Sequence, residues 1–396
     1  MANILTYIKR NWFELLITFC LFSNLYPYTF PSYIYYIGIL LIMYKMTRYQ
    51  VRFVSKNVIY VFFILAIWLS TIINAVYDIR PILYTLILIV AAPFITGVKW
   101  HLYKKKLLHN IFIGFACTVV VSLVAKFQGV NYQVTKRLGE SMMLYGGVDE
   151  FSGYAKFPMW NSAAAAVSML YFAYLLFREG EKKRWTRIFY IGMFLASMYV
   201  CIISASRSAF GLAVILSVVL LKWLSPNLGK LTKYVVVFGV IGVLSFPFFM
   251  DNATRMLQKQ ETQEETGVTS RDLLWAQRMA EFRSSPVYGV GFAVQGTDDN
   301  QTVGRGESGS SWLAILAQTG VIGFVIALIL WCKTFTRLRN IRYDNENVLA
   351  YALFLFFTVH SILEGYMFQG GWYMCVICWL TVAIVTEAKM YRKYLM

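Results

Sequence analysis

The sequence predicts an all-α polytopic membrane protein with about twelve transmembrane helices and a long extracytoplasmic loop that contains a helix of its own. Of the 396 residues, 58% are hydrophobic and only 14% are charged, and the mean hydropathy is +0.56. The apolar residues occur in runs close to the roughly 20 residues that cross a bilayer. The basic residues lie in short clusters between these runs, so the net charge of +17 does not indicate nucleic-acid binding.

Twelve apolar runs account for the predicted spans, within a single transmembrane domain over residues 1–396. The first run follows Lys9 and Arg10 without a small-residue cleavage site, which predicts a retained signal anchor. The spans are predicted near 12–28, 31–46, 57–77, 81–98, 107–127, 158–177, 187–204, 208–224, 234–250, 309–331, 348–367 and 371–388.

The distribution of lysine and arginine predicts the orientation of the chain. Every second connection is basic, and the positive-inside rule places such connections in the cytoplasm. Both termini are then cytoplasmic. The basic connections are 45–56, 99–106, 178–187, 222–233, 333–342 and 389–393.

The two long connections, 128–157 and 251–308, are predicted to lie outside. The second holds nine acidic and six basic residues in a chain otherwise poor in charge, and it is too long for a simple connector. Within it, the stretch TSRDLLWAQRMAEFRSS predicts an amphipathic helix. We therefore expect the loop 251–308, between spans nine and ten, to be the functional element.

The arginines on the predicted outer face are candidate ligands of a phosphate group. The stretch CIISASRSAFG places Arg207 between two apolar runs, where a charge costs about 2.5–3.5 kcal/mol on insertion scales. Arginine binds phosphate oxygens through two parallel hydrogen bonds and keeps its charge. The alternative is a pair with a lipid headgroup or with a carboxylate such as Glu364. The candidate diphosphate-binding residues are Arg207, Arg271, Arg278 and Arg305.

Three residues are candidates for the base that would activate a hydroxyl group. His360 and Glu364 are four residues apart in HSILEGYM, so a helix would place them on one face. Glu307 precedes span ten. The alternatives are that the first two only hold helices together and that Glu307 caps a helix. We expect no metal site and no cofactor, because the motifs of nucleotide hydrolysis and metal binding are absent and the CxxC pair, Cys375 and Cys378, is better explained by packing.

Four stretches resemble the O-antigen ligase and O-antigen polymerase superfamily of polytopic, C-type glycosyltransferases. They are FPMWNSAAA at 157–165, SASRSAF at 204–210, SRDLLW…PVYGVGF at 270–292 and ESGSSWLAILAQTGVIG at 307–323. The resemblance implies a substrate carried on undecaprenyl diphosphate and used on the outer face of the bacterial cytoplasmic membrane, without a nucleotide sugar or a metal ion. It also implies that Arg207 and Arg271 bind the diphosphate.

One departure from the family pattern favours a polymerase that builds O-antigen, capsule or exopolysaccharide. Ligases typically carry a His-Asn pair before span ten, whereas this chain has Gly-Ser-Ser-Trp-Leu at 309–313, with Glu307 just upstream. The alternatives are a ligase that transfers the glycan to lipid A–core or another acceptor, and a flippase of lipid-linked glycan. The lipid bilayer, the lipid-linked oligosaccharide and a chain-length regulator are the expected partners, and nucleic acid is not.

Overall fold

A computed structural model describes residues 2–27, 29–132, 151–178, 183–204, 206–224, 229, 232, 270–296, 302–303, 309–343 and 347–391. A helix overlaps each of eleven predicted spans, although the helix in the span predicted at 81–98 ends at Ala91. The span predicted at 234–250 lies outside the described residues. The helices are α1 Ala2–Ser23, α2 Tyr33–Thr47, α3 Ile59–Ile73, α4 Arg80–Ala91, α5 Val98–Phe127, α6 Pro158–Phe177, α7 Arg184–Ile203, α8 Arg207–Leu224, α9 Ser270–Ser284, α10 Ser311–Phe335, α11 Val348–Leu363 and α12 Tyr373–Tyr391.

Six helical segments of the described chain are long and apolar enough to cross a membrane: α5, α6, α7, α8, α12 and Ser311–Arg339, which is α10 with part of the 3-10 turn after it. Four shorter apolar helices, α2, α3, α4 and α11, have 12 to 16 residues. At 1.5 Å per residue these four reach about 18–24 Å, less than the ~30 Å hydrocarbon core. The chain is a membrane protein with apolar helices, and the count of twelve spans stays a prediction.

The chain divides into two compact units. The first comprises Met1–Ile34, His109–Gly267 and Asp344–Phe356. Its centre is α6, which packs against α7 and α8. The four alanines 163–166 of α6 are at most 3% exposed. Small side chains allow neighbouring backbones to approach closely, so the alanine run explains how α6 packs between its neighbours.

The second unit comprises Tyr35–Leu108, Val268–Tyr343 and Phe357–Met396. In it, α10 packs against α3 and α9, and α12 packs against α4. Buried aromatic rings around Trp379, including Phe63, Tyr84 and Phe368, form its core. Two short antiparallel ladders pair β1 Arg52–Phe53 with β2 Ile95–Thr96, and β3 Val294–Gln295 with β4 Thr302–Val303. A single transmembrane domain over residues 1–396, with the long loop 251–308, remains a prediction from the sequence.

A buried charged cluster joins α5 to α12 in the second unit. Glu387 accepts a hydrogen bond from Lys104 Nζ at 2.6 Å and lies 2.8 Å from His101 Nδ1. All three side chains are fully buried. Because a lone buried charge is strongly unfavourable, the three groups stabilise the packing of the two helices only as a set.

The helix predicted within the loop 251–308 is confirmed as α9, and the turn after it is inserted beside a break in α10. Gly320 has φ 61° and ψ −166°, which interrupts the helix. The N–H groups of Val290 and Gly291 donate to the carbonyls of Ala317 and Gln318 at 3.0 and 3.2 Å. The turn therefore satisfies carbonyl groups that the break leaves without a helical partner, as apolar surroundings demand.

Candidate active site

Arg207 is the first residue of α8 in the first unit, and its side chain is exposed. It follows the short turn after α7, whose end is marked by the buried Ser204. An exposed guanidinium at the start of an apolar helix is accessible to an anionic group outside the protein. This placement is compatible with the predicted role in diphosphate binding, which stays a prediction.

The turn before Arg207 is held by a chain of buried polar side chains. Asn161 of α6 donates through Nδ2 to Ser204 Oγ at 3.3 Å and accepts through Oδ1 from Ser122 Oγ at 2.7 Å. The three residues are at most 3% exposed. These bonds connect two of the stretches that carry the family resemblance, so Asn161 holds the turn in position.

We expect Asn161→Ala to destabilise the protein by about 1–3 kcal/mol, because it removes two buried hydrogen bonds, one to Ser204 Oγ and one from Ser122 Oγ, of which only the Ser122 hydroxyl keeps another recipient, the Thr118 carbonyl. The measurement is the Tm of the detergent-solubilised protein. Ser208→Ala, on the same turn of α8 as Arg207, serves as the control and should leave the Tm close to that of the wild type. An Asn161→Ala protein as stable as the wild type would contradict the positioning role.

The second unit brings together two residues predicted to act in the site. Arg271, in the first turn of α9, donates through Nη2 to Glu364 Oε1 at 3.0 Å. The Arg271 side chain is 34% exposed and that of Glu364 only 5%. The guanidinium therefore neutralises a buried carboxylate while part of it stays accessible to a ligand.

Ser311 ties the start of α10 to the chain segment that carries Glu364. Its N–H and its hydroxyl both donate to the Glu364 carbonyl, at 3.0 and 2.6 Å. The hydroxyl also accepts from the Met367 N–H at 3.1 Å. Sequence reasoning missed Ser311 because it treated Gly-Ser-Ser-Trp-Leu only as a replacement for a histidine. The pair of adjacent serines at a helix start was the available signal, since such residues satisfy exposed backbone groups.

His360 lies in the interior of the second unit, and its ring contacts Tyr366. It is 1% exposed, and its Nδ1 lies 3.3 Å from Tyr366 Oη. Because α11 ends at Leu363, Glu364 lies one residue beyond the helix and extends to Arg271. The catalytic roles predicted for His360 and Glu364 stay predictions.

Arg278 is buried, whereas a ligand of an external diphosphate needs an accessible side chain. Its side chain is 1% exposed and donates to Glu281 Oε2 at 2.7 Å. The N–H of Gly296 donates to the other oxygen of Glu281 at 2.6 Å. Burial raises the pKa of the Glu281 carboxyl, while Arg278 and the Gly296 N–H act in the opposite direction. The pair joins α9 to the residues after it, and its diphosphate role stays a prediction.

Glu307 and Arg305 lie outside the described residues. The next described residue, Gly309, accepts a hydrogen bond from Trp275 Nε1 at 3.1 Å, so the end of the loop is attached to α9. Cys375 and Cys378 are fully buried in α12. Among the described residues, no group of three or more His, Cys, Asp or Glu side chains could hold a metal ion.

Residues 191–328 match the family model described as O-antigen ligase. The match supports the O-antigen ligase and polymerase superfamily as the family of this chain. The matched segment is roughly a third of the chain, and it contains Arg207, Arg271 and Ser311 but ends before His360 and Glu364. No curated protein matches the chain.

Proposed function

We propose that this protein is a membrane glycosyltransferase that polymerises oligosaccharide repeat units carried on undecaprenyl diphosphate. The observation that carries the proposal is the O-antigen ligase match over the segment that holds the two accessible arginines, Arg207 and Arg271. A family whose enzymes act on lipid-linked glycans in a membrane needs cationic groups for a diphosphate, and arginine is the side chain that supplies them best.

The proposed reaction is a direct displacement at the anomeric carbon, with inversion. An acceptor hydroxyl oxygen bonds to that carbon, and the bond from the carbon to the diphosphate oxygen breaks with its electron pair. The hydroxyl proton passes to a base on the protein. Arg271 takes up the negative charge that develops on the leaving diphosphate, which is the electrostatic form of transition-state stabilisation, and Arg207 is the other candidate for this role.

The pair of Arg271 and Glu364 suggests how a base could be released when substrate binds. In the structure the Arg271 guanidinium is bonded to the Glu364 carboxylate at 3.0 Å. A bound diphosphate competes for the same guanidinium and draws it from the carboxylate. Glu364 then accepts the hydroxyl proton, with Glu307 and His360 as the other candidates for this role.

The sequence at the start of α10 favours a polymerase over a ligase. This helix begins at Ser311, and residues 309–313 supply serine hydroxyls where ligases typically carry a His-Asn pair. The ligase is kept as the second candidate because the matching family model is described by that activity. In either case we propose a bacterial inner-membrane protein with both termini in the cytoplasm, the site facing outward, and a chain-length regulator as an additional partner.

Deletion of the gene, followed by gel analysis of surface and lipid-linked glycans, tests the proposal in the cell. We expect single repeat units to remain on the acceptor while the ladder of longer chains disappears, and the wild-type gene to restore the ladder. Long chains that accumulate on undecaprenyl diphosphate beside a bare acceptor would instead identify a ligase and overturn the polymerase assignment.

A further inference from the structure

The helix α10 folds back on itself at its break. In a continuous helix, at 1.5 Å per residue, Trp312 and Trp331 would lie about 28 Å apart, whereas their ring centroids are 5.6 Å apart. Residues 311–319 therefore form a short half-helix. Its first turn lies against α11, because Trp312 Nε1 donates to Ser361 Oγ at 3.1 Å. Ser361 is three residues before Glu364, so the half-helix begins beside the chain segment that carries this carboxylate.

Ser311, the first residue of this half-helix, fixes the backbone around Glu364. It is fully buried. Its N–H and its hydroxyl both donate to the Glu364 carbonyl, and the hydroxyl accepts from the Met367 N–H, all at 2.6–3.1 Å. Glu364 lies one residue beyond the end of α11, so the helix itself does not fix its backbone. Ser311 therefore holds the chain at the residue whose carboxylate pairs with Arg271.

The hydroxyl of Ser311 is not needed as the cap of the half-helix. Ser310 is the N-cap residue, and its own hydroxyl accepts from the Leu313 N–H at 3.4 Å. This is the usual position and bond of a capping serine. The Ser311 hydroxyl is instead directed out of the half-helix, to Glu364 and Met367. Its contacts are those of a residue that orders a neighbouring segment.

Resting on the proposed function, in which Glu364 accepts the proton of the acceptor hydroxyl, we propose that Ser311 is a positioning residue for this reaction. In the structure the Glu364 carboxylate is bonded to the Arg271 guanidinium at 3.0 Å. A diphosphate that draws Arg271 away removes this contact, so the carboxylate then depends on its backbone for its place. Misplacement of a reacting group by about 1 Å can lower a rate about 10²-fold. Ser311 keeps Glu364 in place during the reaction.

Substitution of the two adjacent serines gives a matched test in proteoliposomes that contain the full-length protein and a purified lipid-linked repeat unit. We expect Ser311→Ala to lower kcat by roughly 10–100-fold and to leave KM within about twofold, because it removes order from the base and not a contact with the substrate. Ser310→Ala removes a buried hydroxyl from the neighbouring residue and should retain the wild-type kcat. Equal kcat for Ser311→Ala and the wild type, or equal loss in both variants, would overturn the proposal.

A double variant shows whether Ser311 acts through Glu364. If it does, Ser311→Ala has nothing left to misplace once Glu364→Gln has removed the base. We expect Ser311→Ala to change the residual kcat of Glu364→Gln by less than about twofold, since the effects of groups that act as a unit are not additive. A further large loss would place the role of Ser311 elsewhere and overturn the proposal. Full activity of Glu364→Gln would also overturn it, while leaving the polymerase assignment intact.

The Tm of the solubilised protein measures the positioning without any product. With Ser311 present, Arg271→Ala and Glu364→Gln should change the Tm by less together than the sum of their separate effects, because they remove one ion pair. This non-additivity should shrink in a Ser311→Ala protein and persist in a Ser310→Ala protein. Its persistence in Ser311→Ala would overturn the positioning role. A protein that shows the expected decrease yet forms no polymer would support the positioning of Glu364 and contradict the proposed function, so the two failures are distinguishable.

Discussion

Arg271→Ala should lower the rate of polymerisation by about 10²–10³-fold, the usual cost of removing one group that stabilises developing negative charge. Arg271 is the accessible partner of Glu364, which it contacts at 3.0 Å. Its removal takes a cation from the leaving diphosphate and leaves a buried carboxylate without its charge partner. The measurement is product formation by the purified enzyme from a lipid-linked repeat unit.

Matched variants separate catalysis from folding at this position. Arg283→Ala removes an exposed arginine from the last turn of the same helix and should leave the rate unchanged. Arg271→Lys keeps the charge but loses bidentate binding, so its rate should lie between those of the wild type and of Arg271→Ala. In the double variant Arg271→Ala/Glu364→Gln the lone carboxylate is gone, so the Tm should recover while the rate stays low. Full activity of Arg271→Ala would refute the diphosphate role.

Gly320→Ala should destabilise the second unit by about 3 kcal/mol or more. Gly320 has φ 61° and ψ −166°, a conformation essentially limited to glycine, and forcing another residue into such a region costs about 1–3 kcal/mol. A Cβ atom at this position would also collide with the backbone of Val287 and Tyr288 in the turn after α9. The turn must then move away from α10, with loss of the hydrogen bonds between the two.

The Tm of the solubilised protein and proteolysis of the loop measure this effect. Gly211→Ala is the matched control because Gly211 lies in helix α8 with open space around its Cβ position. Alanine is favoured over glycine in a helix by about 1 kcal/mol, so this control should be neutral or slightly stabilising. If Gly320→Ala melts at the wild-type temperature, the break in α10 does not need glycine.

Hydropathy and helix periodicity predict the positions of most helices but not the break within α10. The apolar runs coincide with eleven described helices, and the loop helix was predicted because its polar and apolar residues alternate with a helical period. The break at Gly320 was not predicted, since a single glycine in an apolar run is equally compatible with a continuous helix. Its position depends on a turn about thirty residues upstream, a relationship that no local pattern contains.

The sequence predicted candidate residues of the site but not which of them contact one another. Arg271 and Glu364 were both named, but their pairing joins residues 93 positions apart and depends on the tertiary fold. The pairing of Arg278 could have been predicted from the sequence, because Glu281 lies three residues later on the same helix face. Charge alone does not distinguish such a buried pair from an accessible ligand.

The most direct test of the central claim is a reaction in proteoliposomes that contain only this protein and a purified undecaprenyl-diphosphate-linked repeat unit. We predict a ladder of lipid-linked products that differ by one repeat unit, formed without nucleotide sugar and lost in Arg271→Ala. A protein that leaves the repeat unit unextended, yet transfers it to added lipid A–core, would contradict the polymerase and establish a ligase.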